Sequence, residues 1–411
     1  MTKKTRININ TNFQVYFKTF ISFFKIDLSD SVNNFYLKFT EFVNTKNIIF
    51  TSQGRVAALN IFKFLISKEK NEFIISPYTL TEVINAINYA GGKAKYVDID
   101  IKTGLPDEKQ LDLVVSSQTA GIIITHLYSN DDAINNFKKK YYNKIKIIED
   151  TAINFGAKQS SGQYLGTIFD YGFFSFGVMK SLCTFNGGAI FVKDSNELQK
   201  IKNQMQSDIN FPKIKSIKLV LFTLMIDVIY NRYIFKTLSY YLLKLIKYFN
   251  IGFVEKIIYP GVYPKISKFK PEHYNYKFCE NFSYAGLINL KLSKHRHKNR
   301  INNVKIYEKE LNHKLKIFDC KNYEINSFLE YPILLKKNTS HYLSKKLFEQ
   351  GYDVRHTWYV NSLNFKKFDY LENEFPNSEQ MQNYILSLPT NSYFNESDII
   401  KICGIINKYE E

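Results

Sequence analysis

The chain has 411 residues, 45% hydrophobic and 16% aromatic, and its 56 Lys and Arg against 38 Asp and Glu give a formal net charge of +18. That length buries a full core and leaves room for more than one domain, which excludes a peptide or a disulfide-stapled miniprotein. The four cysteines, Cys183, Cys279, Cys320 and Cys403, lie far apart with no C-x-x-C pair, so neither a zinc site nor a disulfide framework is indicated.

The N-terminal run MTKKTRININTNF is charged and polar, and the aromatic stretch after it keeps Lys18 and Lys25. No secretory signal is read there, so a cytoplasmic protein with packed thiols is expected. Residues 1–44 read as a helical arm. Residues 45–204 read as a large domain, because helix 56–65, strand 73–76, helix 81–90 and strands 95–97, 121–125 and 146–148 follow a βαβ rhythm. That rhythm predicts an α/β fold whose mostly parallel sheet is sandwiched by helices. Residues 205–265 read as an apolar, basic helical insertion. Residues 266–411 read as a smaller α+β domain, with HRHKNRINNVKIYEKEL as a long amphipathic helix, FLEYPILL as a strand and SHYLSKKLFEQG as a helix closed by Gly351.

Three features of the large domain carry chemistry. Lys180 stands five residues after Ser175 in DYGFFSFGVMKSLCTFNGGAIF, and Asp150 ends the apolar run KIIED. A lysine amine can hold an aldehyde cofactor as a Schiff base and afterwards carry protons between carbon centres. A carboxylate at the carboxyl end of a parallel strand is suited to keeping a pyridine nitrogen protonated. The turn Ser52-Gln53-Gly54-Arg55-Val56 opens a helix, and the free N–H groups of such a turn accept a phosphate. Together these are the requirements of pyridoxal 5'-phosphate. Taken singly, each has a plainer reading as a helix cap, a solvated lysine, an ordinary hydroxyl or a turn glycine.

From about Ile48 to the C-terminus the chain resembles the pyridoxal-phosphate-dependent sugar aminotransferases called DegT/StrS, of aminotransferase fold type I. The resemblance runs through TSQGRVAAL, FIISPYTLTEVINAINYAGGKAKYVDIDIKTGLPD, GIIITHLYS, IIEDTAINFGA, the SF-x-x-x-K segment with its glycine pair, NYKFCENFSYAGLINL and LSLP. It implies that Lys180 binds the cofactor aldehyde, Asp150 faces the ring nitrogen, and Ser175 touches the phosphate together with the Gly54, Arg55 and Val56 turn. Asn275 matches an asparagine that reaches the neighbouring subunit's cofactor, which implies a homodimer; its other reading is a loop asparagine. Several positions depart from the family pattern. Ile153 stands where a Gln or His usually meets the ring oxygen, and Leu80 stands where an aromatic residue usually stacks, a role Tyr78 is placed to take. Phe185-Asn186 replaces Gly-Glu before the glycine pair. Lys180 argues against the sugar dehydratase branch, which carries His there. The activity implied is amino transfer from glutamate to a keto-sugar on a nucleotide, for surface glycan synthesis; the alternatives are a pyridoxal-phosphate enzyme acting on a lipid-linked or other carbonyl substrate, and a non-catalytic family member at a membrane surface, which the departures at Ile153 and Leu80 leave open.

The excess positive charge suits a phosphorylated substrate or an anionic membrane better than nucleic acid, for which no basic-aromatic motif appears. In the insertion, KIKSIKLVLFTLMIDVIYNRYIFKTLSYYLLKLIKYFN mixes apolar and aromatic residues with lysines, and its longest uncharged stretch, 219–226, is far short of the roughly 20 residues a spanning helix needs. Two readings stay open: a helix pair lying flat on a membrane, with the enzyme peripheral on the inner face, or a pair packed over the enzyme or its dimer partner. His295, His297 and His313 are expected at the surface and no metal site is expected.

Overall fold

The computed structural model describes residues 3–9, 11–25, 27–249, 274–317, 321–357, 359–361 and 375–411. Its centre is a seven-stranded sheet of β1 (Ile48–Thr51), β2 (Glu72–Ile75), β4 (Lys93–Tyr96), β5 (Thr119–Thr125), β6 (Ile147–Asp150), β7 (Tyr171–Ser175) and β8 (Gly188–Val192), in the order β1-β8-β7-β6-β5-β2-β4. The short strand β3 (Tyr78–Thr79) stands outside it and pairs with Val360–Asn361. Only β8 runs against its neighbours; the others are parallel. The parallel strands β2, β5 and β6 are buried along their whole length, as strands covered on both faces are.

The helices α1 (Phe13–Ser22), α2 (Ser29–Val43), α3 (Gly54–Leu65), α4 (Thr81–Ala90), α5 (Glu108–Val114) and α6 (Asp131–Tyr141) precede or connect the strands. One apolar cluster joins α3 and α4 to the sheet, with Val56, Phe62, Phe73 and Ile148 fully buried. A second sets α2 and the long helix Ser283–Glu310 against β7 and β8 through Phe35, Phe39, Phe174 and Phe176. A third gathers Val304, Tyr307, Tyr331, Leu343 and Ile402 around the antiparallel pair Glu330–Leu334 and Ile385–Pro389.

The α/β architecture matches the sequence reading, as do the helix over 81–90 and the helix Ser340–Glu349, after which Gly351 takes φ +96°. The long helix begins well before HRHKNR, at Ser283. In the insertion, Lys213–Ile229 is one helix, and Arg232–Ile234 runs through a π-helical turn, Phe235–Ser239, into Tyr240–Tyr248; the expected insertion beyond residue 249 lies outside the described residues. Cys183, Cys279 and Cys403 are buried free thiols, whereas Cys320 is outside the described residues. His297 corrects an expectation: it is turned inward, Nε2 bonding to the Asn326 carbonyl at 2.8 Å, and burial lowers its pKa. Among the described residues no cluster of metal-binding side chains occurs and no helix is long and apolar enough to cross a membrane.

Candidate active site

The carboxyl ends of β1, β6 and β7 and the start of the antiparallel β8 lie along one edge of the sheet, so four distant stretches of sequence meet there. Asp150 is the last residue of β6 and is 1% exposed. Its backbone is tied into the ladder beside β5. Its carboxylate Oδ1 accepts from the Ala152 N–H at 2.9 Å, while Oδ2 is buried without a hydrogen-bond partner. Burial pushes the Asp150 pKa up to about 6, against the opposing effects of the Ala152 N–H, Lys180 and His126.

Lys180 follows β7 on a turn whose N–H reaches the Gly177 carbonyl at 3.1 Å. Burial lowers its amine to about 8; Asp150 opposes that shift and Arg355 adds to it. A buried amine and a buried carboxylate thus perturb each other at the edge of the sheet, an arrangement typical of functional sites. Arg355 is oriented by Glu330, its Nε 3.5 Å from Oε1.

Ser175 ends β7 against the start of α3. A methyl group built on Gly54 would lie 2.8 Å from Ser175 Cβ, and one on Gly188 would lie 2.7 Å from the Gln53 and Gly54 backbone. Only glycine lets the two strand ends and the helix start approach this closely. The cap residue Gln53 offers no side-chain acceptor to the backbone N–H groups of the first turn of α3, its Oε1 accepting instead from Arg55 Nε at 2.5 Å. That helix start therefore keeps N–H groups for an anion. Nearby Ser52 has a buried hydroxyl without a partner, and Val56 is fully buried beneath the turn. Arg55 turns aside: Nη1 is 3.7 Å from Glu82, and its guanidinium lies over the Tyr274 ring at 5.8 Å.

Tyr78 and Ile153 lie together in a buried apolar cluster with Tyr128 and Tyr359. The Tyr78 hydroxyl pairs with Thr357 Oγ1 at 2.9 Å, and its ring meets Tyr359 edge-on at 5.9 Å. The Tyr359 hydroxyl is buried with no partner, and burial followed by the Asp150 charge raises its pKa well above the usual value. Asn275 is exposed, anchored by its carbonyl to the Ile209 N–H at 2.9 Å. Phe185, in the family's glycine position, holds φ +68° and is buried against Tyr16 and Phe282. Its packing offsets a left-handed backbone that costs on the order of 1 kcal/mol.

Sequence reasoning missed His126, Glu149, Arg355 and Tyr359. His126 Nε2 meets Glu149 Oε1 at 3.0 Å and Nδ1 meets Ser129 at 3.1 Å, all buried. Glu149 also accepts from the Gly166, Ile168 and Phe169 N–H groups. A glutamate in the middle of an apolar strand run was the available signal, since a buried carboxylate requires partners.

The site's donors and acceptors fit pyridoxal phosphate. The unpartnered Asp150 oxygen suits a ring N–H, the uncapped α3 start and the Ser52 hydroxyl suit a phosphate, and Lys180 suits an aldehyde. The model for the DegT/DnrJ/EryC1/StrS aminotransferase family matches residues 10–211 and 256–407. The chain belongs to that family. The stretch the family model skips, 212–255, contains the helices of the insertion. GDP-perosamine synthase of Escherichia coli O157:H7 is 29% identical over 164 residues, 40% of this chain and 45% of the relative. UDP-4-amino-4,6-dideoxy-N-acetyl-beta-L-altrosamine transaminase of Campylobacter jejuni subsp. jejuni serotype O:23/36 is 30% identical over 177 residues, 42% and 46% of the two chains. The chain thus spans about half the length of these curated relatives. The solved structure of E. coli GDP-4-keto-6-deoxy-D-mannose-3-dehydratase, with bound hydrated pyridoxal phosphate, superposes with a TM-score of 0.71 at 17% identity, covering 99% of this chain and 100% of that one. That likeness establishes the shared fold.

Proposed function

We propose that the protein is a pyridoxal phosphate-dependent aminotransferase that moves an amino group, with glutamate as donor, onto a keto-sugar carried on a nucleotide, for surface polysaccharide synthesis. The observation that carries this reading is the pairing of Lys180, its amine lowered to about 8, with Asp150, whose buried Oδ2 has no partner. When bound, the cofactor supplies an aldehyde and an electron-withdrawing ring. Asp150 would hold the ring nitrogen protonated; Ser175, Ser52 and the N–H groups of Gly54 and Arg55 would hold the phosphate; Tyr78 and Ile153 would flank the ring. Ile153 offers the ring no hydrogen bond, so Asp150 bears more of the orienting work. Lys180 Nζ would act as base and then acid, taking a proton from the donor carbon and returning it to the next carbon along. Arg355, the cation nearest this amine in its electrostatic effect, would receive the donor's carboxylate.

The names of the relatives concern GDP- and UDP-linked sugars, which supports a nucleotide-linked acceptor here, and Lys180 supports amination over dehydration. The test is the visible spectrum of the cofactor-loaded protein with glutamate, followed by mass analysis of a panel of nucleotide keto-sugars. Conversion to the pyridoxamine form with a matching gain of an amino group on one sugar is expected; a spectrum unmoved by glutamate overturns the reading and leaves a family member without turnover.

The exposed Asn275 supports a homodimer in which each subunit completes its partner's site. A second reading concerns location. α1 exposes Phe13 and Phe17, and the insertion exposes Ile214, Leu221, Met225, Tyr241 and Leu245. The two regions are tied by the Thr11 and Tyr16 hydroxyls on Asp227 Oδ2 at 3.3 and 3.2 Å. Asp227 is the sole acidic residue in 213–249, so this apolar face carries lysines and no exposed carboxylate. That composition supports peripheral contact with an anionic membrane on its cytoplasmic side, where the acceptor could be lipid-linked.

A further inference from the structure

Away from the Lys180–Asp150 pair, a cavity of about 500 Å³ opens between the long helix Ser283–Glu310 and the segment after β6. Lys180, Asp150 and Tyr78 do not line it; Ser181 does, and so do Lys294, Arg296, Lys298, Arg300 and Lys305 from one stretch of the helix. None of these five cations forms an ion pair among the described residues; the only carboxylate in the wall, Glu324, is 3.4 Å from Lys158.

Such a helix is electrostatically costly on its own terms. Lys294 with Lys298, and Arg296 with Arg300, place like charges one turn apart, which destabilises a helix rather than supporting it. Arg300 is 5% exposed. Its Nη1 donates to Ser181 Oγ at 3.0 Å and to the Ser327 carbonyl at 3.5 Å, both neutral acceptors. Burial, and then the charge of Arg296, lowers its pKa to about 10. A guanidinium taken out of water beside a second one, with no carboxylate among the described residues to meet it, is an arrangement that an anion from outside the chain would complete.

We propose that this cavity binds a diphosphate. Lys294 to Lys305 spans eleven residues, about 16 Å of helix axis, longer than one phosphate can engage. The opposite wall holds Phe42 and Tyr164, their ring centroids 5.2 Å apart, which could stack a base. A volume of this order also falls in the range of small-molecule sites. The diphosphate comes either free, as pyrophosphate, or as part of a nucleotide.

Calorimetric titration of pyrophosphate and of UDP into the protein loaded with pyridoxal phosphate tests the site, because the loaded cofactor occupies the other phosphate cradle. One saturable equivalent that is weakened at least tenfold in Arg296→Gln/Lys298→Gln and by added salt is expected for each ligand, whereas any UDP taken up beside Lys180 as acceptor keeps its affinity in that variant. UDP binding at least tenfold tighter than pyrophosphate identifies a nucleotide as the source; equal affinities identify free polyphosphate. These two substitutions lie on partly exposed and exposed positions, and Lys294→Gln/Lys305→Gln provides a second, independent pair. No heat with either ligand, or equal affinity in the wild type and both double variants, overturns the proposal.

Discussion

The His126 backbone N–H donates to the Asp150 carbonyl at 3.0 Å, while the Asp150 carboxylate beyond it keeps Oδ2 buried and unpartnered. The main chain is fixed and this carboxylate oxygen is left without a partner, at a cost in stability. The folded pKa of about 6 lies above the ordinary carboxylate value near 3.9. Asp150 therefore contributes stability below about pH 4, and that contribution is lost as pH rises through about 6. The cofactor-free Asp150→Asn variant is expected to be more stable than the wild type by on the order of 2–3 kcal/mol near pH 7.5 and equal to it below about pH 4. Urea denaturation at the two pH values decides it; identical midpoints throughout would mean that the carboxylate is not strained.

The amine at Lys180 offers a kinetic counterpart. Only a neutral amine attacks an aldehyde. With Lys180 lowered to about 8, the rate at which the cofactor-free protein takes up pyridoxal phosphate should climb with pH and level off above about 8. Arg355 contributes to that lowering, so Arg355→Gln should move the midpoint to higher pH. Stopped-flow absorbance measures both curves. Lys180→Ala should show no cofactor band and lose on the order of 10²–10⁴-fold in turnover.

Much of this site was legible because its chemistry is local in sequence. Ser175, Lys180 and the glycine pair lie on the single connection from β7 to β8, and Asp150 ends an apolar run, so strand ends and chemically capable residue types coincide. The rest is a product of tertiary placement. Tyr359 and Arg355 come from a segment some two hundred residues after Asp150, with no periodic pattern to connect them. His297 sits among Lys and Arg and reads as solvated, yet the helix rotates it toward the Asn326 carbonyl. Phe185 was visible as a departure from a glycine pattern, but only the backbone reveals the left-handed conformation it is forced to adopt.

Glu149 ties His126 and the 166–169 segment to the end of β6. Both carboxylate oxygens are consumed, Oε1 by His126 and the Gly166 N–H and Oε2 by the Ile168 and Phe169 N–H groups. Glu149→Ala would strand four buried donors, the His126 ring N–H and three backbone N–H groups, each costing about 1–3 kcal/mol. A loss of at least 3 kcal/mol in chemical denaturation is expected, with Glu149→Gln retaining part of it. A change below about 1 kcal/mol would show that the loop relaxes and rebinds water.

Asn275 can be assigned to its own site or to the partner's by mixing. If it completes the neighbouring site, Lys180→Ala and Asn275→Asp subunits refolded together form mixed dimers with one intact site, and activity should recover to about a quarter of the wild type. If Asn275 acts within its own chain, both sites of every mixed dimer are damaged and no activity returns. Mass measurement by light scattering must show dimers in each preparation.

The apolar face of α1 and the insertion makes the last prediction. Phe13 is 81% exposed and Ile214 72% exposed; residues of this size in water on adjacent helices mark an interaction surface. Flanking Lys213, Lys215, Lys218, Lys236 and Lys244 would each add about 1 kcal/mol against anionic lipid. The protein should therefore sediment with phosphatidylglycerol-containing vesicles and not with pure phosphatidylcholine, and high salt should release part of it. Leu221→Ser/Met225→Ser and Phe13→Ser/Phe17→Ser should each reduce binding at least tenfold without changing the cofactor spectrum. If vesicle binding is absent and the same substitutions instead lower the oligomeric mass, the face is a contact between subunits and the membrane reading is dropped.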